Sequence, residues 1–189
     1  MMKQILVSLR VILIFTVITG GLYPLIMTGI AQGFFPHKAN GSMIIVKGVT
    51  VGSELIGQYF TSEKYFHGRI SSSEYDSLSS GGSNFGPANE KFIKRVQNDL
   101  RNIRVENYLP SNMKIPSELV TSSASGLDPH ISLESALIQT KRVASARKID
   151  ESIIINIISK HIERRYFSIA GDKFVNVLSL NIALDEQGE

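Results

Sequence analysis

The 189-residue chain contains no cysteine, which excludes disulfide staples, thiolate metal sites and thiol catalysis. It has no phosphate-cradling GxxxxGK[ST] loop, and no GxGxxG, HExxH, GxSxG or EF-hand pattern. The commonest motif-borne catalytic chemistries therefore have no residues to run on. A surplus of positive charge is also missing where a folded domain would carry it. Three of the 20 basic residues, Lys3, Arg10 and Lys38, precede Ala39 and no acidic residue does, leaving 17 basic against 17 acidic beyond that point. A neutral balance without interleaved aromatic and basic residues offers no face for phosphate neutralisation, so nucleic acid is not an expected partner.

Charge is absent altogether over the 26 residues from Val11 to Pro36. Wholly helical, that stretch would reach about 39 Å, against a hydrocarbon core of about 30 Å. Its Val, Ile, Leu and Phe content favours insertion, with Gly20, Gly21 and Pro24 narrowing the margin. A cleaved signal peptide is the competing reading: Lys3 and Arg10 form a basic start, and Gly29-Ile30-Ala31 is an acceptable cleavage site. The apolar character continues through Gly33, Phe34 and Phe35, an odd start for a mature soluble protein, so a retained anchor is preferred. The expected organisation is a cytoplasmic N-terminus over residues 1–10, a single-pass transmembrane helix over 11–36, and an extracytoplasmic domain over 39–189 in the cell (plasma or inner) membrane. Long domains after a first helix translocate largely regardless of charge. Membrane lipid is one partner. A second is another helix, because Thr16, Gly20, Pro24 and Thr28 recur every four residues and Gly29 and Gly33 form a small-xxx-small pair.

Beyond the Asn40-Gly41 turn, Met43 to Val51 reads as one strand interrupted by Gly48, and Ser53 as the start of a short helix to Tyr59. Seven of the 13 residues from Ser71 to Ser83 are serine. That composition fits a flexible linker, while Tyr75, Leu78 and Phe85 fit an ordered loop pinned by large side chains. Phe92, Val96, Leu100 and Ile103 predict an amphipathic helix starting near Pro87 to Asn89 and stopped by Pro110, with Lys91, Lys94, Arg95, Arg101 and Arg104 facing water. Glu118 to Thr121 reads as a short strand. Ser132 caps a helix to about Lys148 with Leu133, Leu137 and Ala144 inward, and Asp150 caps another lined by Ile153, Ile154, Ile157, Ile158 and Ile162. Phe174 to Leu184 is strand-like. The expected fold class is a single transmembrane helix followed by a mixed α/β (α+β) domain.

What chemistry there is must come from loops. Leu78-Ser79-Ser80-Gly81-Gly82 faintly resembles the LSGG core of transporter-type ATPases, making Ser80, Gly81, Gly82 and Ser83 weak nucleotide candidates. The match is offset and stands without a Walker loop, so a plain Ser/Gly turn is preferred. Ser125, Asp128 and His130 are the residue types of a hydrolytic triad, but so short a run rarely aligns nucleophile, base and orienter. Asp128/His130 and His161/Glu163 are the available metal-ligand pairs, and the second would point to opposite sides of a helix. No catalytic residue, metal site or directly bound cofactor is expected.

Several longer motifs occur in a fixed order: Gly21-Leu22-Tyr23-Pro24, then Val51 to Gln58 (VGSELIGQ), Tyr65-Phe66-His67-Gly68-Arg69, Ser80 to Pro87 (SGGSNFGP), Leu119 to Ser132 (LVTSSASGLDPHIS) and Val175 to Asn181 (VNVLSLN). Together they make the chain resemble the C subunit of the Kdp-type potassium-transporting P-type ATPase over nearly its whole length. Ile70 and Leu133 stand where that family usually has proline. The resemblance implies a non-catalytic subunit of a membrane complex in which partner subunits translocate potassium and hydrolyse ATP. It implies a role in assembly, and a chaperone-like enhancement of ATP binding by the catalytic subunit. Tyr65, Phe66, Gly68, Arg69, Asn84, Gly86, Ser125, Gly126, Asp128 and His130 are then expected in partner-facing loops. An anchored extracytoplasmic hydrolase and an exported binding protein are the alternatives.

Overall fold

The computed structural model describes residues 2–164 and 172–187. The chain divides into two compact units, the first ending at Val51 and the second beginning at Gly52.

The first unit is dominated by a 33-residue helical rod, Met2–Phe34, long and apolar enough to span a membrane, with none of its most apolar stretch buried. The rod starts nine residues before the charge-free stretch at Val11, so Lys3 and Arg10 are helical too. It comprises α1 (Met2–Val17), a π-turn (Ile18–Leu22) and α2 (Tyr23–Phe34). Pro24 explains the interruption: it has no N–H to give and its ring crowds the carbonyl four residues back, so the turn widens and Tyr23 donates to Ile18 instead. Thr19 Oγ1 donates to the Phe15 carbonyl at 2.7 Å in the same region. A backbone break at Phe35 ends the rod, and Pro36 starts the four-residue α3 (Pro36–Ala39).

The segment expected as one strand is a hairpin, β1 (Met43–Val46) paired with β2 (Val49–Ser53). Lys47 and Gly48 both have positive φ, 51° and 82°, the geometry of a two-residue turn whose twist matches its strands. Gly48 is thus the corner of a reversal rather than a gap in a strand.

The second unit packs helices against a three-stranded antiparallel sheet of order β3-β5-β4, comprising β3 (His130–Ser132), β4 (Glu163–Arg164) and β5 (Lys173–Asn176). Ile131 lies opposite Val175, and Phe174 opposite both Ser132 and Glu163. The core joins Ile131 and Val175 to Ala136, Val143 and Ala144 of α5 (Leu133–Arg147), Ile154, Ile157 and Ile158 of α6 (Glu151–Lys160), and Val177, Leu180 and Leu184 of α7 (Val177–Glu186). Caps at Ser132 and Asp150 start α5 and α6 where their sequences predict. Of the residues expected inside, Leu137 and Ile153 are instead solvent-exposed.

Two strand expectations are corrected. Glu118 sits in a 3-10 turn, Ser117–Leu119, from which its carboxylate reaches back to accept from Ser132 N at 2.7 Å and from the Ser135 hydroxyl at the start of α5. After Asn176 the tail is the helix α7, because Asn176 turns its side chain to accept from Ser179 N. Buried Val177, Leu180, Asn181 and Leu184 follow the i, i+3, i+4, i+7 helical spacing that an alternating reading of the same residues hides. The short helix expected from Ser53 is also absent: Ser53 Oγ accepts from Leu55 N in a single turn, and Gly57 N leaves to donate to Leu127 O at 2.8 Å. α4 (Glu90–Glu106) starts at Asn89, whose side chain accepts from Lys91 N and Phe92 N.

Candidate functional site

Most of the motif-bearing loops of the second unit meet in one hydrogen-bonded surface. The stretch from Glu63 to Arg69 has no regular structure, so its backbone groups need side-chain partners. Asn181 of α7 supplies two: Phe66 N donates to its Oδ1 at 2.8 Å and its Nδ2 donates to Phe66 O at 3.0 Å. Gln139 of α5 does the same for His67, at 2.8 and 3.0 Å. Arg142, only 2% exposed, donates through Nη1 to the carbonyls of Glu63 and Tyr65, through Nε to Asn107 Oδ1 and through Nη2 to Gln139 Oε1. Burial lowers the pKa of this guanidinium. Burial, then the nearby Arg142 charge, likewise lowers that of His67 and favours the neutral ring. Phe66 is 0% exposed, so its side chain anchors the loop in the core and is not presented to a partner. Tyr65 stays near the surface, its hydroxyl donating to Asp185 at 2.9 Å with the Arg147 guanidinium 5.1 Å from its ring centroid.

Arg69 and Asp128 join this loop to the next. Arg69 Nη1 donates to Asp128 Oδ2 at 3.0 Å, while Asp128 Oδ1 accepts from His130 N at 3.0 Å. Burial opposes the Asp128 charge, but hydrogen bonds from His130 and Arg69 outweigh it and hold the carboxyl at about 2. Tyr75 locks the arrangement from beneath: its hydroxyl donates to Arg69 O at 2.5 Å, and burial pushes its pKa up to about 12. The neighbours must be glycine. A Cβ on Gly57 would lie 2.6 Å from Asp128 O, and one on Gly68 2.7 Å from the Tyr75 hydroxyl oxygen.

The serine-rich loop is ordered by the same logic. Ser71 Oγ donates to Gly126 O and accepts from Tyr75 N, Ser72 Oγ donates to Gly81 O, and both Ser80 Oγ and Gly81 N donate to Ser125 O. Ser83 Oγ accepts from Ser122 Oγ at 3.1 Å, and Gly82 lies against Ala124. The weak nucleotide candidates Ser80, Gly81, Gly82 and Ser83 are thus bound to the 122–126 segment. Gly126 is buried at φ 69°, and Asn84, Gly86 and Ser125 are exposed. Tyr75 pins this loop and Phe85 packs on Phe92, their ring centroids 6.5 Å apart, while Leu78 is 96% exposed and pins nothing.

The hydrolytic constellation does not assemble. Ser125 Oγ accepts from Leu127 N, while the His130 ring packs edge-on against Phe174 at 4.7 Å. Among the described residues no group of three His, Asp or Glu is placed to hold a metal. His161 Nδ1 instead lies 2.9 Å from Ile157 O.

In the membrane rod the π-turn changes the stripe. Each step of four in a straight α-helix drifts about 40°, but one wide turn removes about 100°, so Thr16, Gly20, Pro24 and Thr28 return to within about 20° of one line. Gly29 and Gly33 lie roughly a third of a turn round from it.

One feature of the site escapes the sequence reading. Of the basic residues of α4 expected to face water, Arg95 and Arg104 are half-buried. Arg95 sits 5.9 and 5.6 Å from the ring centroids of Phe85 and Phe92, and 3.8 Å from Asp99, whose pKa burial raises. The pair walls a cleft of about 730 Å³ between α4 and residues 59–75. The available signal was spacing: Phe92, Arg95, Val96 and Asp99 share a face at steps of three and four.

The family model described as "KdpC: K+-transporting ATPase, c chain" matches residues 5–186. The chain belongs to this family. A KdpC subunit of a potassium-transporting ATPase from Mycobacterium tuberculosis is 46% identical over 187 residues, covering 98% of this chain and 99% of the relative. One from Caldanaerobacter subterraneus subsp. tengcongensis is 43% identical over 185 residues, covering 98% and 96%. A third, from Rhodopseudomonas palustris, is 44% identical over 199 residues, covering 98% of each chain. The KdpC match takes in every loop of the surface described above. Of the two departures from the expected family pattern, Leu133 opens α5 and Ile70 lends its carbonyl to Ser123 N.

Proposed function

We propose that this chain is an accessory subunit of an ATP-driven potassium-uptake complex, held in the membrane by its N-terminal rod. In this reading residues 39–189 lie outside the cytoplasm and act in assembly, and partner subunits carry the ion pathway and the nucleotide site. The observation that carries it is the unburied apolar rod joined to a domain whose motif residues are hydrogen-bonded to one another. A helix without ionisable residues in its apolar stretch offers no ion path of its own. Its small residues allow close approach of a neighbouring helix. An extracytoplasmic domain cannot touch cytoplasmic ATP, so any effect on nucleotide affinity travels through helix packing, as a coupling of about 1–3 kcal/mol.

Gly20→Leu and Gly29→Leu test the packing. A Cβ at either position meets nothing within 4 Å, so lost co-purification of partner subunits reports intermolecular packing and not damage to the chain. Unchanged recovery and transport in both variants overturns the reading.

A further inference from the structure

The cleft between α4 and residues 59–75 is outside the loops read as partner-facing, apart from His67, Gly68 and Arg69. It holds unused hydrogen-bonding capacity. Nε of Arg69 and Nη2 of Arg95 are shielded from solvent without a hydrogen-bond partner, and Nε of Arg95 and Oδ2 of Asp99, equally shielded, face each other as an ion pair at 3.8 Å, too far apart to hydrogen-bond. Buried polar groups of folded proteins are nearly always hydrogen-bonded, so four atoms without such a bond around one cleft call for a complement. The donors are held in place. Arg69 is pinned through Nη1 to Asp128, and Arg95 is flanked by two aromatic rings, with its Nε and Nη2 forming the planar edge that grips an acceptor.

The charge on the walls selects the ligand. Two guanidinium groups are opposed by Asp99 and by Glu74 and Glu106, so a polyanion such as a phosphate gains no net attraction. Donors beside an acceptor, with no net positive field, match a neutral group carrying both a carbonyl and an N–H. We infer that the cleft takes an extended peptide segment of a partner subunit, with a backbone carbonyl accepting from Arg95 and a neighbouring amide donating to Asp99. The inference rests on the accessory-subunit reading and names a docking site for it.

The test places a photo-crosslinking residue at Thr61, which is exposed and lines the cleft, in the full chain expressed with its membrane partners. Irradiation should give an adduct with a different subunit. Arg95→Gln should lower its yield about tenfold, as expected for one lost charge-assisted hydrogen bond, while the Tm of the purified chain stays within a few degrees. A second variant, Asp99→Asn, should lower the yield with the Arg95–Phe contacts left in place. Partner subunits that co-purify with a tagged chain but give no Thr61 adduct overturn the cleft and leave the accessory reading standing. Adducts with lipid or with a second copy of this chain overturn it equally, as does an adduct whose yield neither variant changes. If no partner subunit co-purifies, both readings fall.

Discussion

Replacing Asp128 by Asn removes one negative charge from the centre of the loop surface while keeping its shape. The wild-type carboxylate accepts from Arg69 Nη1 and His130 N, both at 3.0 Å, and its pKa falls from the usual 3.8 to about 2. That drop corresponds to about 2 kcal/mol. The side chain is 29% exposed, so solvent screening trims it to about 1–2 kcal/mol. Because the folded pKa is depressed, the stabilisation is complete above the unfolded value and is lost as pH falls through about 4 towards 2. Urea unfolding of the full chain in detergent should therefore find Asp128→Asn less stable by about 1–2 kcal/mol at pH 7. The gap between variant and wild type should close as the pH approaches the folded value. A gap that is the same at pH 7 and at pH 2.5, or no gap at pH 7, refutes the claim that the charge itself holds these loops together.

Asn181→Ala strips both partners from the backbone of Phe66, leaving a buried N–H and a buried C=O unpaired, and should cost about 2–4 kcal/mol in the same unfolding assay. His67 is held neutral by burial and by Arg142, so stability should fall as pH drops below its ordinary 6.5. Comparing wild type with His67→Gln between pH 7.5 and 5.5 checks this, and the variant should show the flatter profile. The glycine substitutions in the rod and the Thr61 crosslink add two assembly measurements to these stability tests.

The apolar rod, the caps at Asn89, Ser132 and Asp150 and the isoleucine face of α6 are legible in the residues themselves, because each depends on positions within a few turns of one another. The family motifs are equally legible, since their order and spacing survive along the chain. What the motif residues do is decided by tertiary contacts. Phe66 reads as a loop aromatic until Asn181, 115 residues away, pairs with its backbone. The serine run reads equally as a linker or an ordered loop until the carbonyls of Ser125 and Gly126 accept from it. Arg95 reads as a solvated charge until Phe85 and Asp99 enclose it. Val177 to Leu184 fits alternation and helical spacing alike, and only the Asn176 cap chooses between them. Sequence thus determined which segments must leave water and where their helices begin. The long-range pairing of irregular backbone with side chains determined the site, because a hydrogen bond between residues a hundred positions apart leaves no periodicity along the chain.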